Sequence, residues 1–208
     1  MKPILFSTDM VRAILDGRKT QTRRAIKPQT KGTPRYNSLR YHWYDHYFRP
    51  GFQFVNDVTP MPRQPFRAGE ILWVRETWTK EGDFIAYKAD VFDGKVGAHN
   101  SDFSLAPTFK AHMLKWRPSI HMPREAARLF LRVTGVRCEK LQEITNDGAK
   151  AEGCDDIPNR AKGNLANFLF LWDELNAKSG YGWDTNPWVF VYTFEKISKK
   201  EARRSNGN

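Results

Sequence analysis

Cysteine is scarce in this chain, with two residues, Cys138 and Cys154, among 208. They form no C-x-x-C pair, and so few thiols in a Lys- and Arg-rich protein point to a reducing compartment, not to a disulfide scaffold. A chain of this length buries roughly 70% of the surface its unfolded form exposes, so it needs neither a disulfide nor a structural metal to hold a core. No metal and no cofactor are expected. Long apolar runs are missing as well. Nothing approaches the ~18 residues that cross a bilayer, and the N-terminus lacks the basic, apolar, small-residue order of a signal peptide. The expectation is a cytoplasmic protein without membrane contact. Acidic residues are in deficit, 23 Asp and Glu against 34 Lys and Arg, a formal charge of +11. That excess favours a polyanionic partner through counterion release, and it equally suits the solubility of a small-molecule enzyme. Part of it sits in Lys196 to Asn208, a run read as a solvated, disordered basic tail over 198–208.

What is present reads as strand and helix in alternation. Leu5 and Phe6 form a short apolar start. Ser7 and Thr8 offer an N-cap before Met10, Val11, Ile14 and Leu15, which recur at helical spacing, and Gly17 ends that helix. Lys19 to Ile26 is then extended. Ile71 to Trp78 is a strand opened by the Ala68-Gly69 turn, with Leu72, Val74, Glu76 and Trp78 on one face and Trp73, Arg75 and Thr77 on the other. Phe84 to Ala89 is its partner, followed by a loop over Asp93 to Asn100. Two prolines make Lys115 to Pro123 an ordered loop. Leu129 to Val136 is a core strand, Leu141 to Gly153 a helix, and Asn164 to Ala177 a longer helix with Phe168, Leu171, Trp172 and Leu175 on one face. Trp188 to Phe194 closes a single α+β domain over residues 1–197.

From Lys27 to Phe66 periodicity disappears, replaced by six prolines and an aromatic cluster between Tyr36 and Phe54. A stretch of ~40 residues without a clear element is too long for an ordinary loop and reads as an insertion at about 27–66, packed on the core or over a site. Tyr36, Tyr41, Trp43, Tyr44, Tyr47, Phe48 and Phe52 within it suit a protein interface as well as a lid. His42 and His46 stand four apart inside it, the spacing of a helical metal pair, but lack a third ligand and read as a surface cluster.

Three blocks in order carry a resemblance. They are Gly17-Arg18-Lys19-Thr20-Gln21-Thr22-Arg23-Arg24, Gly69-Glu70-Ile71-Leu72-Trp73-Val74-Arg75-Glu76-Thr77-Trp78, and Lys115-Trp116-Arg117-Pro118-Ser119-Ile120-His121-Met122-Pro123-Arg124 together with Asn186-Pro187-Trp188-Val189. The chain resembles the ASCH family, whose fold is a small β-barrel of the PUA-like group with flanking helices, and within it the longer proteins encoded in phages and prophages. The family pattern is G-x-K-x-x-E-x-R. Gly17, Lys19 and Arg24 match it, and Thr22 stands where many members carry Glu. At Gly-Arg-Lys-Thr-x-Thr the chain looks like small bacterial amidohydrolases of N4-acetylcytidine, which use a Lys, a Thr and a Glu. The resemblance implies Lys19 and Thr22 as the first two. Arg132 falls where those enzymes have the Glu, which leaves Glu76 as the substitute.

Thr20, Thr22 and Arg24 share one face of their strand, and Lys19 precedes it with a stem long enough to fold over Thr22. In the enzyme so implied, Lys19 takes the proton of Thr22, Arg24 helps hold an oxyanion, and Glu76 orients Lys19 or protonates the leaving amine. Trp78, Tyr87 and Trp116 are candidate stacking surfaces for a base, and Lys115, Trp116 and Arg117 a substrate-binding loop. Trp73, Trp172 and Trp188 read as core, and His121 as a loop-packing residue. Each site residue also has a purely architectural reading. Threonine is common in strands, Lys19 complements a helix C-terminus, and Arg24 can pair with Glu76. The functions left open are an acylated-nucleoside hydrolase or ribonuclease, a non-catalytic RNA- or nucleotide-binding module, and a phage accessory protein that binds a host protein through residues 36–54. If phage-encoded, the chain acts in the cytoplasm of its bacterial host.

Overall fold

A computed structural model describes residues 1–29, 33–36, 41–47, 55–60, 65–82, 84–92, 95–96, 114–154 and 163–205. The fold is α+β. Its centre is a five-stranded sheet in the order β1, β6, β11, β12, β2, built from β1 (Lys2–Leu5), β2 (Gln21–Ala25), β6 (Ile71–Arg75), β11 (Phe130–Lys140) and β12 (Trp188–Ile197). β1 runs parallel to β6, and all other neighbours in this sheet are antiparallel.

The sheet is partly open and covered on both faces. On one face Ile4, Leu72, Val74, Leu131, Val133, Phe190, Tyr192 and Phe194 pack with Val11 and Ile14 of helix α1 (Thr8–Leu15). On the other face two smaller clusters form. Ile71, Trp73 and Phe130 meet Trp78, Met122 and Ile197, while Val189 and Val191 meet Phe168 and Trp172 of α3 (Asn164–Asn176) and Ala149 of α2 (Asn146–Ala151). Alternation along β6 and β12 therefore divides one strand between two cores, which is why these strands read as nearly continuous apolar runs.

Caps fix the helices that reach the site. Ser7 accepts the Met10 N–H at the start of α1, and Thr145 accepts the Gly148 N–H at 3.0 Å at the start of α2. Gly17 (φ 76°) ends α1, and the Lys19 N–H then returns to the Ala13 carbonyl at 2.9 Å. Gly153 turns the chain after α2 with φ 80°, and a Cβ there would stand 2.7 Å from Cβ of Ala13 and 3.1 Å from Cβ of Lys19. Only glycine lets α1, α2 and the entry to β2 approach so closely.

Several elements differ from the sequence reading. The segment 27–66 contains three strands, β3 (Thr33–Tyr36), β4 (Tyr41–Tyr47) and β5 (Val55–Pro60), paired antiparallel in that order. Prolines at strand ends and aromatic density hid them. In a strand, positions four apart lie ~13 Å from each other, so His42 and His46 lose the helical spacing that made them a candidate pair. The side chains of residues 30–64, with the aromatics from Tyr36 to Phe54, lie outside the described residues. The strand from Ile71 stops at Arg75, and β7 (Trp78–Glu81) starts after a break to pair with β8 (Phe84–Tyr87). Leu141–Glu143 is a single 3-10 turn, with α2 beginning only at Asn146. β11 extends to Lys140 through an irregularity between Val133 and Gly135. Leu175 is exposed.

The basic tail is also corrected over its first part. Lys199–Arg204 forms a helix, α4, capped by Ser198. Ala202 is buried against the β6/β11 cluster, and Glu201 binds Arg132 at 2.6 Å, contacts that a solvated end would lack.

Candidate functional site

Two buried charge centres occupy the positions that the motifs marked. The first begins where Lys19 forms an isolated antiparallel bridge with Glu152, at the C-terminal end of α2. The Lys19 side chain is fully buried. Its Nζ donates to Glu152 Oε2 at 2.7 Å and to the Glu152 carbonyl at 2.9 Å. Arg23 reaches the other carboxylate oxygen, Oε1, at 3.1 Å and binds Glu139 at 2.7–2.8 Å. Burial pulls the Lys19 ammonium below its usual value, against the opposing pull of Glu152.

Strand parity then separates neighbours. Arg23 sits opposite Val191 and lies over Phe168, on the α2/α3 side. Thr22 and Arg24 sit opposite Tyr192 and Phe190, on the larger core. Thr22 is buried, and the Arg24 guanidinium donates to the Leu5 carbonyl at 2.8 Å. β1 and β2 are the two edges of the sheet, so this side chain bridges them across its open side. Lys19 and Arg24 share the Phe6 ring, at 5.5 and 5.6 Å from its centroid. Desolvation also lowers Arg24 from its usual value. The structure thus brings Lys19, Thr22 and Arg24 to one region, walled by Phe6 and Tyr192.

Glu76 belongs elsewhere. It is buried in the break after β6, where Arg128 holds both its oxygens at 3.0 Å and Asp90 at 2.6 Å. The expectation that it orients Lys19, or pairs with Arg24, is corrected. The carboxylate on Lys19 is Glu152, and the guanidinium on Glu76 is that of Arg128. Tyr87 belongs to the same second centre, its ring 4.0 Å from the Arg128 guanidinium and its hydroxyl bonded to the Ala126 carbonyl. Trp78 is buried, pairs with Arg117 through backbone hydrogen bonds, and has the Arg117 guanidinium 5.3 Å from its ring, so it is not an open stacking surface. Lys115 and Arg117 are exposed, Trp116 is half-buried, and the Lys115 carbonyl accepts from Thr79. The six predicted binding residues therefore divide, with Arg24 at the first centre and the other five around β7.

Arg132 faces away from the larger core and pairs with Glu195 and Glu201 at 2.7 and 2.6 Å. Its place in the strand says nothing about the Lys19 centre.

Sequence reasoning missed Glu152, Arg23, Glu139 and Arg128. For Glu152 a signal existed. A carboxylate just before the glycine that ends a helix opposes the helix dipole and calls for a cation beside it. Nothing local marks Arg128. Among the described residues, no group of three or more His, Cys, Asp or Glu side chains is placed to hold a metal ion, and no helix is long and apolar enough to cross a membrane.

No family model and no curated protein matches the chain. Among solved structures it is similar to the crystal structure of protein EF3133 from Enterococcus faecalis V583, labelled with the family-model DUF984. That similarity has a TM-score of 0.42 and 12% identity, over 95% of this chain and 82% of that one.

One consequence for stability follows from Cys138, which packs against the larger core. Burial pushes its thiol up to about 12 from an ordinary 9.0, with Glu139 adding to the shift. Between these values the unfolded chain has released a proton that the folded chain keeps, so stability falls as pH rises through the window. Tyr87, raised to about 12 mainly by burial, acts in the same direction above its ordinary 10.0. Cys138→Ala is expected to flatten the loss of urea resistance between about pH 8 and about pH 10.5. An unchanged slope would contradict this account.

Proposed function

We propose that this is an ASCH-like protein whose site between β1, β2 and β12 takes a nucleoside, and that it hydrolyses the amide of an acylated nucleoside such as N4-acetylcytidine. One observation carries the reading. Lys19, fully buried, held below its usual value and joined to a carboxylate, lies three residues before a buried threonine on the same extended segment. Desolvation is what turns a lysine into a base. In this reaction the Lys19 amine takes the Thr22 proton as Oγ1 adds to the acyl carbon, and the carbonyl electron pair moves onto oxygen. The tetrahedral species collapses, the bond to the cytosine N4 breaks, and that nitrogen takes the proton from Lys19. Water then adds to the threonyl ester in the same way, releasing acetate and restoring Thr22. Glu152, itself anchored by Arg23, holds the ammonium whenever it forms. Phe6 supplies a flat apolar wall, and Arg24 the adjoining positive charge.

Binding of RNA or a nucleotide without turnover is the second reading. It is favoured by the closure of Lys19 on Glu152 and by the +11 charge. Chromatographic assay of N4-acetylcytidine with the wild type and with Thr22→Val separates the two. Valine keeps the shape of the buried side chain and removes only the nucleophile. The expected result is turnover by the wild type and a loss of at least ~10²-fold in the variant. Equal turnover by both proteins would exclude Thr22. No turnover by either, with RNA affinity that falls with salt and with Arg24→Gln, would replace hydrolysis by binding.

A further inference from the structure

The interior of the sheet holds a polar group that the reaction above does not use. Tyr192 is fully buried and stands directly opposite Thr22 in the β2–β12 ladder. Its ring meets Phe66 edge-on at 5.2 Å and leans on Phe190 at 6.0 Å. Among the described residues, no hydrogen-bond partner stands in bonding geometry at its hydroxyl. The polar groups around it are the Phe66 backbone N–H, Cys138, Arg24 and Glu70. The Phe66 amide and the Arg24 guanidinium carry protons themselves. Glu70 is engaged by Lys2 at 2.7 Å and by the Arg67 N–H. Among the described residues, the phenolic proton therefore has no acceptor in bonding geometry.

A buried donor without an acceptor forfeits the hydrogen bond it would keep with water in the unfolded chain. Phenylalanine would fill the same space without that cost. Such groups are few in folded proteins and ask for an explanation. Here the explanation is its position, across one rung of the ladder from the threonine that the proposed reaction uses, where the Cβ atoms of paired residues lie ~4.5–5.5 Å apart.

We propose that the Tyr192 hydroxyl is a ligand donor, bonding the acyl carbonyl oxygen of the substrate beside Thr22. The inference rests on the proposed hydrolase site and deepens it by naming the atom recognised. A neutral donor at this place suits a carbonyl oxygen better than a phosphate. As Thr22 adds to the acyl carbon, charge gathers on that oxygen, and a fixed donor stabilises it more in the transition state than in the bound substrate. Burial keeps the phenol protonated well above its ordinary range, so the donor is present wherever Lys19 can act as base.

Tyr192→Phe tests this in the full-length protein, read three ways beside the wild type and Thr22→Val. Without ligand the variant is expected to melt at or above the wild-type temperature, because no hydrogen bond is lost. With N4-acetylcytidine its kcat is expected to fall ~10²–10³-fold while KM changes less. Saturating N4-acetylcytidine is expected to raise the melting temperature of the wild type and to raise that of Tyr192→Phe less. A lower melting temperature with full activity would show that the hydroxyl serves the fold, and would overturn the proposal. Turnover lost in Thr22→Val but unchanged in Tyr192→Phe would overturn it while leaving the hydrolase standing. If the wild type turns nothing over, a ligand-induced melting shift that Tyr192→Phe loses would keep the donor and remove the hydrolysis. No shift in the wild type would remove both.

Discussion

Glu152→Leu is expected to lower stability by about 3–5 kcal/mol, because it leaves the buried Lys19 ammonium without its carboxylate. For a chain of this size that is a fall of ~6–20 °C in melting temperature. The loss should also depend on pH in a definite direction. Desolvation already holds Lys19 below 10.5, and Glu152 is the largest influence opposing it. Without Glu152 the folded-state value falls further. Between it and 10.5 the unfolded chain binds a proton that the folded chain does not, so the stability of the variant rises with pH across that interval. Urea titrations at about pH 7 and about pH 9.5 would read both the loss and its partial recovery. Combining the change with Lys19→Met should restore part of the stability, since two apolar side chains replace the Lys19–Glu152 pair while Arg23 keeps Glu139 alone. A loss below ~1 kcal/mol that ignores pH would mean that Glu152 and Lys19 are not coupled as the 2.7 Å contact requires.

Arg128→Leu should be as damaging for a different reason. One guanidinium serves two buried carboxylates, Glu76 through both oxygens and Asp90 through one, while it also covers the Tyr87 ring. Its removal takes three charge-assisted hydrogen bonds from groups that are almost wholly shielded from water, at an expected cost of about 3–5 kcal/mol. Arg128→Lys should recover only a part, because a point charge cannot reproduce the fork that meets both oxygens of Glu76. Thermal unfolding of the two variants checks the order. Equal melting temperatures for lysine and leucine would show that the fork geometry contributes nothing. Since this centre shares no described contact with Lys19, any turnover by the protein that remains folded should be retained.

Much of the sheet was legible because β6 and β12 are apolar on both sides, and α1 carries both its cap and its terminating glycine in plain local order. The strands of the insertion were not, since their prolines and aromatics break the alternation on which a strand is recognised. The site was half legible. Lys19, Thr22 and Arg24 lie within six residues of one another, so a motif can hold them together. Their partners come from far along the chain, Glu152 from the end of α2 and Tyr192 from β12, and only the β2–β12 register and the Lys19–Glu152 bridge bring them near. Glu76 was misassigned for the converse reason. Alternation carried its strand on to Trp78, three residues past its end at Arg75, and long-range pairing with Arg128 leaves no local trace.

The Arg24 link between β2 and Leu5 has a consequence for how the molecule moves. Two strand edges joined by a ladder separate only by unzipping every rung, whereas β1 and β2 are linked, among the described residues, by one hydrogen bond, from Arg24 to Leu5. A hydrogen bond to a charged group contributes about 1.5–3 kcal/mol. Breaking it alone would leave roughly one molecule in ten to one in a hundred with this link open at any moment, with the four ladders of the sheet untouched. Rotation of that single arginine, on the timescale of side-chain and loop motion and not of unfolding, is enough to release this link between the edges.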